Sequence, residues 1–286
     1  MELKNATGGS IISRPALTFT TPVIDLHCHV LPGIDDGPAT IEGSLELARA
    51  AASGGTQVLV ATPHVSWRYR NDAETIARLV GELNARLAKE GVVSAGGVPL
   101  EVRAGAEVAL TQIAEIEPAE LGRLTLGGGE WLLVEPPFTP VAPHLDEILL
   151  GLGREGRRVV VAHPERCPTF QRDRQMLERL VREGFLTSVT AGSFGGSFGG
   201  EARRFALELA RDGLLHNVAS DAHDHVHRPP VIAAELEAVG LGPLTQWLTE
   251  AVPRAILDGG EVPPRPEVVM REIQTPHPRR WLHLRR

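Results

Sequence analysis

Seven short apolar runs separated by longer stretches of helical periodicity most constrain what this chain can fold into. The runs are Val23-Ile24-Asp25-Leu26, Gln57 to Ala61, Leu100 to Ala104, Trp131 to Val134, Arg158 to Ala162, Phe185 to Ala191 and His216 to Ala219. Each is rich in Val, Leu and Ala and bounded by Gly, Pro or polar residues, as strands buried on both faces are. Helical patterns lie near 40–53, 72–90, 142–155, 171–183 and 201–212, with two more near 230–239 and 243–258. This alternation predicts an α/β fold with a parallel sheet. Seven strands suggest an irregular barrel, although an open doubly wound sheet would give the same pattern. A chain of 286 residues with 42% apolar content fits one such domain. We place it at 22–260, with an N-terminal extension at 1–21 and a Pro- and Arg-rich tail at 261–286. The tail carries Arg265, Arg271, Arg279, Arg280, Arg285 and Arg286 and reads as a solvated or packing extension ahead of the alternative, a binding element.

Charge and cysteine usage exclude several classes. A net charge of -7 argues against nucleic acid as the partner, since phosphate backbones call for clustered Lys and Arg. Two cysteines, Cys28 and Cys167, make no disulfide framework and fit a reducing compartment. No leader-like segment or membrane-length apolar run is visible, so a cytoplasmic protein without membrane insertion is expected. The oligomeric state is left open.

The chemistry sits at the strand ends, the active face of α/β barrels. Six of the seven runs lead to a metal-capable residue: His27 and His29, His64, Glu107, Glu135, His163, then Asp221 and His223. Residues two apart on a strand share a face, so His27 and His29 can reach one ion while Cys28 points away. The sixth run ends instead in the glycine-rich stretch Gly192 to Gly200, either a tight turn or a source of backbone N–H groups for an anion. Five histidines with Asp36, Glu107, Glu135 and Asp221 are too many ligands for one ion and suit a cluster of two or three. Imidazole and carboxylate without thiolate admit Mn, Fe or Zn.

Arg166 and Arg228 follow metal-bearing strand ends and would suit bidentate contact with a phosphate. A competing chemistry fails on spacing. A cysteine-dependent phosphatase needs an arginine six residues after its nucleophile, where Ile34 and Asp173 stand. His225 and His227 could line the mouth of the site. His144, His216, His277 and His283 are read as structural.

The stretch Ile24-Asp25-Leu26-His27-Cys28-His29-Val30-Leu31-Pro32-Gly33-Ile34-Asp35-Asp36-Gly37 resembles the opening of the bacterial PHP-superfamily protein-tyrosine phosphatases, manganese-dependent enzymes of capsule and exopolysaccharide operons. Ala61-Thr62-Pro63-His64, Ala104-Gly105-Ala106-Glu107, Leu133-Val134-Glu135, Ala162-His163-Pro164-Glu165-Arg166, Ala191-Gly192-Ser193 and Ala219-Ser220-Asp221-Ala222-His223 follow in that family's order. The resemblance implies a distorted (β/α)7 barrel and a trinuclear manganese site. His27, His29, Glu107 and Asp221 would hold one ion, Glu107, Glu135 and His163 a second, and Asp36, His64 and His223 a third. Arg166 and Arg228 would contact phosphate, and His223 is a candidate proton donor to the leaving group. The implied substrate is phosphotyrosine on the tail of a cognate bacterial tyrosine kinase. Thr190, where the family usually shows asparagine, and the loop Ser66-Trp67-Arg68-Tyr69-Arg70 depart from its pattern. Rival readings are a PHP-type histidinol-phosphate or nucleotide phosphatase and a non-catalytic metal-binding regulator.

Overall fold

Parallel strands flanked by helices run through the computed structural model, which describes residues 22–268. The 1–21 extension and the tail beyond 268 lie outside the described residues. The strands are β1 (Val23–Cys28), β2 (Thr56–Ala61), β3 (His64–Val65), β4 (Glu101–Ala104), β5 (Glu107–Ala109), β6 (Trp131–Glu135), β7 (Arg158–Ala162), β8 (Leu186–Thr190) and β9 (Asn217–Ala219). All seven expected runs are strands, and β3 and β5 are two short additions. They arise because the second and third strand paths are interrupted, at Thr62-Pro63 and Gly105-Ala106, before resuming. Proline has no N–H to give to a ladder, so Pro63 breaks one pairing while the chain keeps its direction.

Those interruptions divide the ladders into a three-stranded sheet, β1-β2-β4, and a six-stranded sheet, β3-β5-β6-β7-β8-β9, parallel throughout. The ring expected of a barrel is therefore not closed by ladders. Between β9 and β1 there is a single parallel bridge, Cys28 to Ala222. Side chains complete that seam. Buried Asp25 accepts from the Ser220 hydroxyl at 2.5 Å and from the Ser220 backbone N–H at 3.0 Å.

The principal helices are α1 (Ile41–Ser53), α2 (Ala73–Lys89), α3 (Pro118–Leu121), α4 (Leu145–Arg154), α5 (Pro168–Arg172), α6 (Arg174–Arg182), α7 (Ala191–Gly195), α8 (Gly199–Arg211), α9 (Ala233–Ala238) and α10 (Val252–Asp258). Thr40 and Asp72 start α1 and α2 by accepting from the N–H groups of Gly43 and Thr75. The helix expected over 171–183 is two helices. Asp173 leaves helical geometry and caps α6 through Met176 N–H, so the chain turns there. The last expected helix opens with a 3-10 turn, Gly242–Leu244, and then a π turn, Trp247–Ala251, that runs into α10. Residues 261–268 continue along the domain: the Trp247 indole N–H donates to Pro263 O, and Val262 and Val268 pack on the core. No described helix is long and apolar enough to cross a membrane.

Candidate metal centre

Strand β1 delivers the first pair. His27 and His29 leave the same face of the chain, with their Nε2 atoms 3.2 Å apart. Cys28 points into the seam with β9, where burial pushes its thiol well up, and burial likewise raises Cys167. Neither thiol is poised as a nucleophile.

Four donors then converge. His27 Nε2 and His29 Nε2 each lie 3.3 Å from Glu107 Oε2 and 3.5 Å from Asp221 Oδ1. A tetrahedral ion with ligands at about 2.1 Å would hold neighbouring donors roughly 3.4 Å apart. Beside this group, His163 Nε2 sits 2.6 Å from Glu107 Oε1 and 3.9 Å from Glu135 Oε1. On the other side, Asp36 Oδ1 lies 3.4 Å from His64 Nε2 and 3.3 Å from His223 Nε2. His64 Nδ1 also approaches Glu107 Oε2, at 2.9 Å. The sequence-predicted ligands His27, His29, Asp36, His64, Glu107, Glu135, His163, Asp221 and His223 are thus one contiguous cluster.

The donor set fits metal ions on a structural ground. Glu107 Oε2, His163 Nδ1 and His223 Nε2 are buried without a hydrogen bond of normal geometry among the described residues. Buried polar atoms are rarely left so, and two of these three, Glu107 Oε2 and His223 Nε2, face fellow donors across gaps of ionic size. Charge points the same way. Glu107 is held well below the usual carboxylate range because His27 and His163 overcome the cost of its burial. Burial and the Glu107 charge push Glu135 up to about 8. Burial and neighbouring Arg166 lower His163 to about 4. Glu107 and Glu135 side by side bring negative charge that bound cations would offset.

Backbone strain is concentrated here. His163 and Asp221 adopt φ values of 29° and 50°, unusual for non-glycine residues. Each costs on the order of 1–3 kcal/mol and is held by the surrounding chain. The His163 N–H donates to Ser188 O at 2.7 Å, and the Asp221 N–H donates to His27 O at 2.8 Å.

Both arginines reach the cluster. Arg166 Nη1 and Arg228 Nη2 each lie 2.7 Å from Asp221 Oδ2, the oxygen turned away from His27 and His29. Arg228 also donates to Asp221 O at 3.0 Å. Thr190, the departure noted above, places its hydroxyl 3.4 Å from the same Oδ2.

Several residues escaped the sequence reading. Asp35 Oδ2 accepts from His29 Nδ1 at 2.7 Å, and its carboxylate also takes the Gly37 and His64 N–H groups. That bond fixes the His29 tautomer and leaves Nε2 to the cluster. Burial would lower His29, but Asp35 and Glu107 outweigh it and raise it to about 10. Only glycine fits at 37, where a Cβ would meet His29 O at 2.3 Å. Asp25 shares the period-two face of His27 and His29, a signal that would have found it. Glu165 Oε1 accepts from Thr190 N–H and the Ser193 hydroxyl, bracing the turn that carries Arg166. Of the remaining histidines, His225 lies 3.6 Å from Glu46 and exposed His227 pairs with Asp224, so neither joins the cluster. His144 pairs with Glu147 on the surface and His216 is partly buried against Thr187. His277 and His283 lie outside the described residues.

Residues 23–240 match the family described as capsular polysaccharide synthesis, CpsB/CapC. This chain belongs to the CpsB/CapC family. Among CpsB/CapC relatives, the tyrosine-protein phosphatase YwqE of Bacillus subtilis is 36% identical over 203 residues, covering 71% of this chain and 78% of its own. The putative tyrosine-protein phosphatase CapC of Staphylococcus aureus is 32% identical over 212 residues, covering 72% and 79%. A solved chain from work on YwqE of Bacillus subtilis and CpsB of Streptococcus pneumoniae, described as unique metal-dependent tyrosine phosphatases, superposes with a TM-score of 0.72 at 30% identity. That match covers 87% of this chain and 100% of the other, and it assigns the PHP-type fold.

Proposed function

We propose that this CpsB/CapC member is a metal-dependent tyrosine-protein phosphatase acting on the phosphorylated tail of a bacterial tyrosine kinase that controls capsule or exopolysaccharide synthesis. The observation that carries the reading is the convergence of nine ligating side chains with two arginines at one end of the sheet. The catalytic unit is taken as 22–260.

Manganese is the favoured ion, at two or three per chain, with iron or zinc as alternatives. His27, His29, Glu107 and Asp221 would hold one ion, Glu107, Glu135 and His163 a second, and Asp36, His64 and His223 a third. Ions held there would supply an activated water and neutralise charge on the phosphoryl group. Arg166 and Arg228 would turn from Asp221 Oδ2 to the non-bridging phosphoryl oxygens, keeping their charge throughout. Asp35 would hold His29 in the ligating tautomer. His223 has one free nitrogen for two suggested roles. Its Nδ1 donates to Asp221 O at 3.1 Å, so Nε2 either binds an ion or gives up a proton. Ligation is the role its position beside Asp36 supports. A tyrosine phenolate, with a pKa near 10, leaves with little need of a donor.

A cavity of about 260 Å³ opens beside the cluster, with Asp36, His64 and Glu135 at its floor and Trp67, Tyr69 and Phe138 among its walls. Trp67 is 75% exposed and Phe138 44%. Aromatic side chains beside ligating residues suit an aryl phosphate, and direct comparison of substrates separates it from the histidinol-phosphate and nucleotide alternatives. Turnover of a phosphotyrosine peptide should exceed that of histidinol phosphate and be abolished by chelator. Preference for histidinol phosphate would reassign the substrate. Protein that binds ions but turns over neither would be a regulator instead.

A further inference from the structure

The glycine-rich stretch that follows β8 presents an aromatic ring to the two arginines. Phe198 lies with its ring centroid 4.3 Å from the Arg166 guanidinium carbon and 5.5 Å from that of Arg228. Phe138 approaches the Arg166 guanidinium at 4.9 Å. Both guanidinium groups meet at a single carboxylate oxygen, Asp221 Oδ2, each at 2.7 Å. Two like charges brought to one oxygen repel each other, and the negative face of an aromatic ring against both offsets part of that cost.

The loop is shaped to put the ring there. Gly196 and Gly199 bracket Phe198 with φ values of 93° and 91°, a region that residues with a Cβ adopt only under strain. The turn is closed by Ser197 N–H donating to Gly192 O and Gly199 N–H donating to Gly196 O, both at 3.0 Å. Arg203 Nε donates to Phe194 O, and the Ser193 hydroxyl bonds Glu165 beside Arg166. One hydrogen-bonded unit thus links the loop carrying Phe198 to the turn carrying Arg166.

We propose that Phe198 is a positioning residue that holds Arg166 and Arg228 as a pair for a phosphoryl dianion. This rests on the phosphatase reading above. The guanidinium groups exchange Asp221 for the incoming anion while remaining against the same ring, so the pair is ordered before the anion arrives.

The test uses metal-loaded protein and two variants. Phe198→Leu keeps apolar bulk and loses the π face; Phe198→Trp keeps a π face. Binding of inorganic phosphate is measured by calorimetry, together with kcat and KM for para-nitrophenyl phosphate, metal content and melting temperature. Leucine should weaken phosphate binding and raise KM by roughly 5- to 30-fold, with metal content and melting temperature as in wild type. Tryptophan should restore most of the loss. Phosphate binding unchanged in Phe198→Leu overturns the proposal, as does a loss that tryptophan fails to restore or that tracks lost metal or a lowered melting temperature. Wild-type protein that binds no phosphate would instead sink the phosphatase reading, and this inference with it.

Discussion

Asp35 and Asp36 are adjacent and chemically identical, yet they have different partners. Asp36 faces His64 and His223 with one oxygen, whereas Asp35 lies behind His29 and accepts a hydrogen bond from its Nδ1 at 2.7 Å. Replacing Asp35 by alanine should lower metal affinity about 10- to 100-fold, read by chelator competition. Asparagine, whose amide oxygen still accepts from His29, should cost less. Equal affinities in all three proteins would remove Asp35 from the site. At Arg166 the expected pattern is the opposite. Alanine should lower kcat/KM by about 10²-fold while metal content holds, because Asp221 keeps its Oδ1 toward His27 and His29. Lost ions in Arg166→Ala would make that arginine structural.

At the scale of elements, the pairing of β8 with β9 carries a pH-sensitive contact away from the metal centre. The Thr187 N–H donates to His216 Nδ1 at 3.3 Å, which demands a neutral imidazole, and burial with nearby Arg265 lowers His216 to about 4. The unfolded chain protonates near 6.5 and the folded one only near 4. Stability from this group is therefore complete above pH 6.5, falls as pH drops through that interval, and levels off below 4. The loss between pH 7 and pH 5 should be roughly 2 kcal/mol, read from urea midpoints. His216→Gln should flatten that part of the profile, and an unchanged slope would mean the histidine titrates freely. The short strands β3 and β5 belong to this scale as well. Each spans two or three residues, too few for a two-residue period to show, yet they carry His64 and Glu107 into the cluster.

For the molecule as a whole, the centre joins both sheets: His27 and His29 come from β1 of the smaller, and Asp221, just past β9 of the larger, meets them across a seam that has one backbone bridge. Ions bound there would tie the two sheets together. Chelation should lower the melting temperature and manganese should restore it in a concentration-dependent way, with about 2.7 kcal/mol per site at a hundredfold excess over Kd. The apolar core beneath is large, so metal-free protein should keep its secondary structure. A melting temperature indifferent to chelator would mean the ions do not brace the seam.

What could be read from the chain alone was local. The spacing of His27 and His29 put both rings on one face because strand geometry repeats every two residues, whatever the rest of the fold does. Strand-to-helix alternation located Glu135, His163 and Asp221 at strand ends for the same reason. The tertiary structure decided which groups meet. It made Asp35 the partner of His29, turned Arg166 and Arg228 onto one oxygen of Asp221, left His225 and His227 outside, and brought Phe198 over both arginines. Those pairings depend on how the split sheet twists and where loops of irregular backbone return, and loops have no period from which such a direction follows.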